Sequence, residues 1–381
     1  MATRLTRKTI GAVCLGMSLV MAAPAAHAVG DLLETPARST TLAAEYLLND
    51  VAVAGERLVA VGERGHIIYS DDDGRSWVQA EVPVSVTLTA IDFGTTTDGW
   101  VVGHSGVVLH SSDAGESWTI QLDGIRAFEL AIEAKEERIE VLEAELEDAP
   151  EEDREDLEWA LDDVYFTLEN MKSDMDIGPV NPLLDVWFEN ADHGFVMGAY
   201  GMIFRTTDGG ESWRDWSDQV ANPSGYHLNG ITDVTGGGLV IVGEAGLILV
   251  STDNGDTWEA QESPYTGSLF GVIGTGNVNE ILTYGLRGNI FLSTDLGRSW
   301  STITNEAGAT LNGGTIAEDG RIVLVGNGGV VLSSTDGGES FRSYFRTDRE
   351  GLMTVLPVAK NRLLLLGESG VVTADALGKN L

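Results

Sequence analysis

One eight-residue phrase, written six times, constrains this chain more than any other feature. It reads Ser70-Asp71-Asp72-Asp73-Gly74-Arg75-Ser76-Trp77 at its first occurrence and Thr206-Thr207-Asp208-Gly209-Gly210-Glu211-Ser212-Trp213 at its third. The last copy, Ser334 to Phe341, puts Phe where the others have Trp. The central aspartates are Asp72, Asp113, Asp208, Asp253, Asp295 and Asp336, spaced 41, 95, 45, 42 and 41 residues apart. A self-similar unit near ~40 residues cannot bury its apolar face alone, so the units must stack on one another.

A second element precedes each copy. A Gly-x-x-Gly turn lies between two apolar runs at Gly62/Gly65, Gly103/Gly106, Gly198/Gly201, Gly243/Gly246, Gly285/Gly288, Gly326/Gly329 and Gly367/Gly370. Each unit reads as four short strands; in the second these are 88–93, 100–103, 107–111 and 117–122. Four strands in a period of about 40 residues are the pattern of a β-propeller, and seven turns predict seven blades. The aspartate turn joins strands three and four, where a carboxylate can accept N–H groups of its own turn and the Trp packs between neighbouring sheets. The seventh unit shows strands near 352–358, 362–366 and 370–373, then Thr373-Ala374-Asp375-Ala376, with no clear fourth strand. Residues 33–42 are therefore expected to close the ring as the outer strand of the last blade, leaving no open edge.

The 95-residue spacing holds an insertion, residues 125–177. Ile125, Phe128, Ile132, Ile139, Leu142 and Leu146 follow helical spacing, with Lys135 as the polar seam position. Leu157, Leu161, Val164, Leu168, Met171 and Met175 do so after Pro150, which suits a first helical turn. Two antiparallel helices zipped along one seam are expected. The insertion carries 20 acidic and 5 basic residues. It connects strand four of one blade to strand one of the next, so it should leave the ring on the Gly-x-x-Gly face, opposite the aspartate turns. Trp159, Tyr165 and Phe166 lie off the seam and are candidate contacts for a partner.

The first 28 residues read as a cleavable secretory signal: Arg4, Arg7 and Lys8, an apolar stretch, then Ala26-His27-Ala28. The expected organisation is a signal at 1–28, a propeller over 29–124 and 178–381, and a helical hairpin at 125–177. The expected destination is the periplasm. The one cysteine, Cys14, falls inside the signal, so disulfides and thiolate chemistry are not expected. Removing the signal takes the net charge from −36 to −39, a balance that disfavours nucleic acid and anionic lipid. No later segment is long and apolar enough to span a membrane.

Six aspartates recurring around a ring argue for a turn device rather than an acid–base or calcium site. The histidines after the signal form no metal-ligand pair, so no metal and no cofactor is expected. The inner-strand segments offer mainly Thr, Val, Ile, Gly and Leu to the central channel, which argues against a glycosidase cluster there.

The eight-residue phrase is the Asp-box, or bacterial neuraminidase repeat. With the Gly-x-x-Gly turns it resembles the photosystem II stability/assembly factor family of seven-bladed propellers, over about residues 45–375 apart from the insertion. The resemblance implies a protein that binds membrane-protein subunits as they assemble, through an arginine-rich face; the absence of catalytic motifs leads to the expectation that it is not an enzyme. Among the x-x pairs here, only Arg64 and Arg287 are arginine. The expected partner is a protein, a membrane protein or envelope complex. Candidate contacts on the turn face are Arg64, His104, Tyr200, Glu244, Arg287 and Glu368. Two alternatives are a glycan-active or glycan-binding propeller, since Asp-boxes also occur in sialidases, and an accessory subunit of an envelope transporter. The Arg-Ile-Pro phrase of sialidases is absent.

Overall fold

The computed structural model describes residues 32–175, 181–359 and 361–381. The signal reading at 1–28 lies outside them. Seven antiparallel sheets occupy residues 48–79, 88–122, 183–215, 228–260, 269–302, 311–345 and 352–375. Six have four strands and the last has three, each in sequence order from the inside of the ring outward. The second strand of each blade is the most buried. Gly99–Gly103, Gly194–Gly198 and Ile281–Gly285 are covered along their whole length. Apart from Thr283 and Tyr284 these strands are apolar, because a neighbouring blade covers each of their two faces. The seven-bladed propeller with an inserted helical hairpin stands as the sequence implies.

Box aromatics join the blades. Trp118 of blade two is buried with Val59 and Val61 of blade one, and Trp258 of blade four meets Phe195 of blade three edge-on at 6.0 Å. Trp77 of blade one packs in the same way against Leu364 and Leu366 of blade seven, which closes the ring.

The expected role of residues 33–42 is not what the structure shows. This segment runs beside blade one instead: Ala37 N–H donates to Val82 O at 3.0 Å and Ser85 N–H to Leu32 O at 2.8 Å. The outer position of blade seven is taken by the following residues of the same chain. Asp375 Oδ1 accepts N–H groups of Leu377 (2.9 Å) and Lys379 (3.0 Å), and Asn380 then bridges antiparallel to Ala374. A seventh aspartate turn is thus present, one residue longer than the others and without an aromatic. Gly378 lies against Val331 of blade six where a box Trp would pack.

The insertion forms helix α1, Gly124–Asp148, and helix α2, Arg154–Met175. Asp123 caps α1, its carboxylate accepting Arg126 N–H at 2.9 Å. Pro150 heads the inter-helical turn rather than the first turn of α2, with Asp153 N–H bonded to Pro150 O. Ile139, Leu142 and Leu168 are buried in the expected seam. The root of α1 departs from it: Ile125 is exposed, whereas Ala127 and Ala131 are buried. The helix is rotated there so that its small face meets Phe204, Met202 and Trp213 of blade three. The root of the hairpin thus shares the propeller core, through Ala127.

Candidate functional site

The Asp-boxes have a common geometry. In each, the second oxygen of the aspartate accepts the hydroxyl four residues on: 2.6 Å from Ser76, Ser117, Ser212, Thr257 and Ser299, and 2.5 Å from Ser340. The first oxygen accepts the hydroxyl two residues back, 2.8 Å for Ser70–Asp72, and an N–H within the turn. Those bonds hold all six carboxyls below the usual range, Asp72, Asp253 and Asp336 at about 2. The aspartates sit at the surface. The buried member of the box is the leading hydroxyl: Thr206 is buried, and its Oγ1 accepts Gly210 N–H at 2.8 Å. With both oxygens engaged by the same turn, these carboxylates are built for architecture.

The central channel holds carboxyls that the sequence reading did not anticipate. Asp50, Asp92 and Asp185 each accept the N–H of the following residue, and with the other oxygen an N–H of the next blade. The partners are Ile91 (3.0 Å), Phe188 (2.7 Å) and Ile231 (2.8 Å). Part of each residue remains accessible to water, but inner strands enclose the carboxyls. That enclosure pushes them up, Asp92 to about 6, Asp50 to about 7 and Asp185 to about 8, in spite of the N–H bonds that oppose it. Asp50 also meets Thr354 of blade seven, so it links three blades across the closure. Tyr284 lies in the same field, its hydroxyl raised by burial first and by Asp185 and Asp50 next.

The Gly-x-x-Gly turns form the opposite face. A Cβ on Gly198 would sit 2.3 Å from Pro182 O, so the first glycine allows the turn to close on the incoming chain. The second x residue is left-handed in six turns and stands outward, including Arg64 (φ 60), Tyr200 (φ 56) and Arg287 (φ 61). The sequence candidates divide on this face. Arg64 lies over the Tyr46 ring, while Arg287 and His104 are exposed on other blades. Glu368 and Glu244 serve partly as braces, accepting Gly351 N–H at 2.8 Å and His227 N–H at 3.3 Å. Tyr200 and Glu244 do come together, through His227. The His227 Nδ1 accepts Tyr200 N–H at 2.9 Å, and the two rings meet edge-on at 5.0 Å.

The hairpin leaves the ring on this face. Its first residue crowds the blade-two turn, where a Cβ on Gly106 would lie 2.7 Å from Gly124 Cα. Between the hairpin root and blade three lies an open cleft of about 970 Å³, with Tyr200 at its edge. Lys135, the polar seam residue, crosses it. The Nζ is paired with Asp218 and lies 3.4 Å from Ser217 Oγ. Farther out, Trp159 and Phe166 are 73% and 65% exposed, one heptad apart on α2, and Tyr165 donates to Glu143 at 2.8 Å. The sequence pattern marked these aromatics. It did not mark the cleft, which depends on the rotation of the α1 root.

These features define a closed, seven-bladed Asp-box propeller bearing an acidic helical arm on its turn face. The chain belongs to the family of the photosynthesis system II assembly factor YCF48, whose family model matches residues 32–125 and 167–349. It is 33% identical over 132 residues to the photosystem II assembly lipoprotein Ycf48 of Synechococcus sp., 34% of this chain and 39% of that protein. With the chloroplastic stability/assembly factor HCF136 of Arabidopsis thaliana it shares 23% over 291 residues, 71% of each. The first of these matches, and a rice HCF136 match, span only 39% and 34% of those proteins. Among solved structures, YCF48 bound to a D1 peptide superimposes with a TM-score of 0.59 at 16% identity, covering 87% of this chain and 93% of that one. YCF48 from Cyanidioschyzon merolae gives 0.58 at 14%, covering 90% and 98%. The family model passes over residues 126–166, so most of the hairpin lies outside what it matches.

Proposed function

We propose that this chain is a periplasmic protein-binding propeller that assists the assembly or operation of a membrane protein complex, and that it works by binding rather than by catalysis. The observation that carries the reading is the arm. Its 20 acidic and 5 basic residues surround two exposed aromatics, on a propeller whose box and channel aspartates are engaged internally. An acidic surface with exposed Trp and Phe is a steering and anchoring surface for a protein partner. The family supports the protein partner: its named members are assembly factors, and one solved relative holds a D1 peptide. The signal pattern at 1–28 supports export.

The test is co-purification from periplasm and membranes, comparing the full chain with one in which a Gly/Ser link replaces 126–176. The ring should remain folded, because loop closure depends weakly on length. Its melting point should fall by a few degrees, since the deletion uncovers the apolar patch that Ala127 covers. A membrane protein should be captured by the full chain and lost on deletion. Equal capture by both proteins would refute the role of the arm.

A further inference from the structure

We infer that the cleft between the hairpin root and blade three is a peptide-binding site, and that its ligand is an extended protein segment carrying apolar side chains beside Lys or Arg. The inference rests on the protein-binding reading above and names the chemistry of one contact within it. The cleft's volume, about 970 Å³, falls at the upper end of the ~300–1,000 Å³ usual for ligand sites.

Its floor is apolar and fixed. Its accessible apolar surface comes from Met202 of blade three and from Phe128 and Met171 of the hairpin, all half-buried, over the buried Phe204 and Val220. The facing wall is α1, which lines the cleft with Ala131 between Phe128 and Lys135. The outer wall is a built loop. Asn222 closes it with paired bonds to Tyr226, Nδ2 to O at 2.9 Å and Oδ1 from N–H at 3.0 Å. Gly201 is small enough to pass beneath it, since a Cβ there would meet Asn222 Nδ2 at 2.9 Å. These walls are formed before any ligand arrives, so little ordering would be lost on binding.

Charge selects the ligand. Among the described residues that line the cleft Lys135 is the one cation, and it faces two carboxylates, Asp218 and Asp215. Asp215 is held in place by Ser217, whose hydroxyl donates to it at 2.5 Å and whose N–H donates at 3.0 Å. The balance inside is therefore negative, and the arm above adds to it. At the lip, Tyr200 is 66% exposed and lies edge-on to His227, which has Glu244 behind it. Aromatic faces beside a carboxylate favour Lys or Arg side chains. An apolar floor under a cation-accepting lip calls for both chemistries in one segment, which an acidic or a purely polar peptide does not supply.

Isothermal titration of the full chain with three capped octapeptides tests this: alternating Leu and Lys, alternating Leu and Glu, and alternating Ser and Lys. The Leu/Lys peptide should bind one to one, and at least about tenfold more tightly than either of the others. Y200A should weaken it about fivefold or more. That substitution keeps the fold, because blade four carries Ala245 in the same left-handed position (φ 54). A131W, which fills the cleft, should abolish binding; if it does not fold, Y200A decides alone. Equal binding of the Ser/Lys peptide, or undiminished binding by Y200A, would show only attraction to the acidic arm and would overturn the site. If Y200A and A131W still capture the membrane partner through the hairpin, the cleft inference fails while the proposed function stands.

Discussion

The ring and the arm use the same residue chemistry to opposite ends. In the ring, two sets of carboxylates are satisfied by the protein itself: the box aspartates by their own turns, the channel aspartates by N–H groups of adjacent blades. In the arm, most acids face water, and the few pairs, such as Arg126–Glu133 and Lys172–Glu136, are exposed. Exposed pairs contribute little to stability. These two sets of ring acids are thus explained by folding, whereas the arm's are left available for a partner. A residue type alone does not reveal its role; the number of donors already engaged does.

Substitutions in the ring can break this contrast. The largest effect is expected at the buried hydroxyl of a box. T206V leaves Gly210 N–H without its acceptor in the core and also strips a donor from Asp208, so unfolding free energy should fall by about 1–3 kcal/mol. D208A removes a surface carboxylate whose turn donors can turn to water, so its cost should be smaller, about 1 kcal/mol. Chemical denaturation of both variants checks the order. If D208A proved the more damaging, the aspartate would be the box's main support after all. Neither variant should alter partner capture.

A smaller effect separates the two kinds of ring carboxyl by pH. The channel groups titrate above the ordinary Asp value, at about 6, 7 and 8. Between about pH 4 and pH 8 the folded chain therefore holds protons that the unfolded chain has released, and stability falls as pH rises through that window. The box groups titrate below the ordinary value, so their contribution is lost only as pH falls toward about 2. The melting point should accordingly be higher at pH 5 than at pH 8. The net charge of −36 acts in the same direction, so D185N is the discriminating variant. It should flatten the slope between those pH values, and an unchanged slope would remove the channel from the explanation.

Most of the ring was legible because it is written repeatedly. Six boxes and seven glycine turns carry the blade count, and 3-4 spacing carries the hairpin. The parts that were not legible occur once. The seventh aspartate turn has an extra residue and no aromatic, so Asp375 does not match the phrase, and the sequence alone points to residues 33–42 for closure. The channel acids sit third in their strands at Asp50 and Asp185 but fifth at Asp92, so no column of aspartates appears when the units are aligned. The cleft arises because Ala127 and Ala131, rather than Ile125, turn toward blade three. Apolar periodicity favours the larger residue, and packing against Phe204 favours the smaller ones.

The most direct test of the account is photo-crosslinking in the living cell. A benzophenone side chain placed at Trp159, Phe166 or Tyr200 samples the arm and the cleft lip; one at Glu211 or Glu339 samples the exposed Asp-box face. The account predicts crosslinks to a membrane protein from the first group and not from the second. Crosslinks confined to the Asp-box face, or none from the arm and the lip, would contradict it.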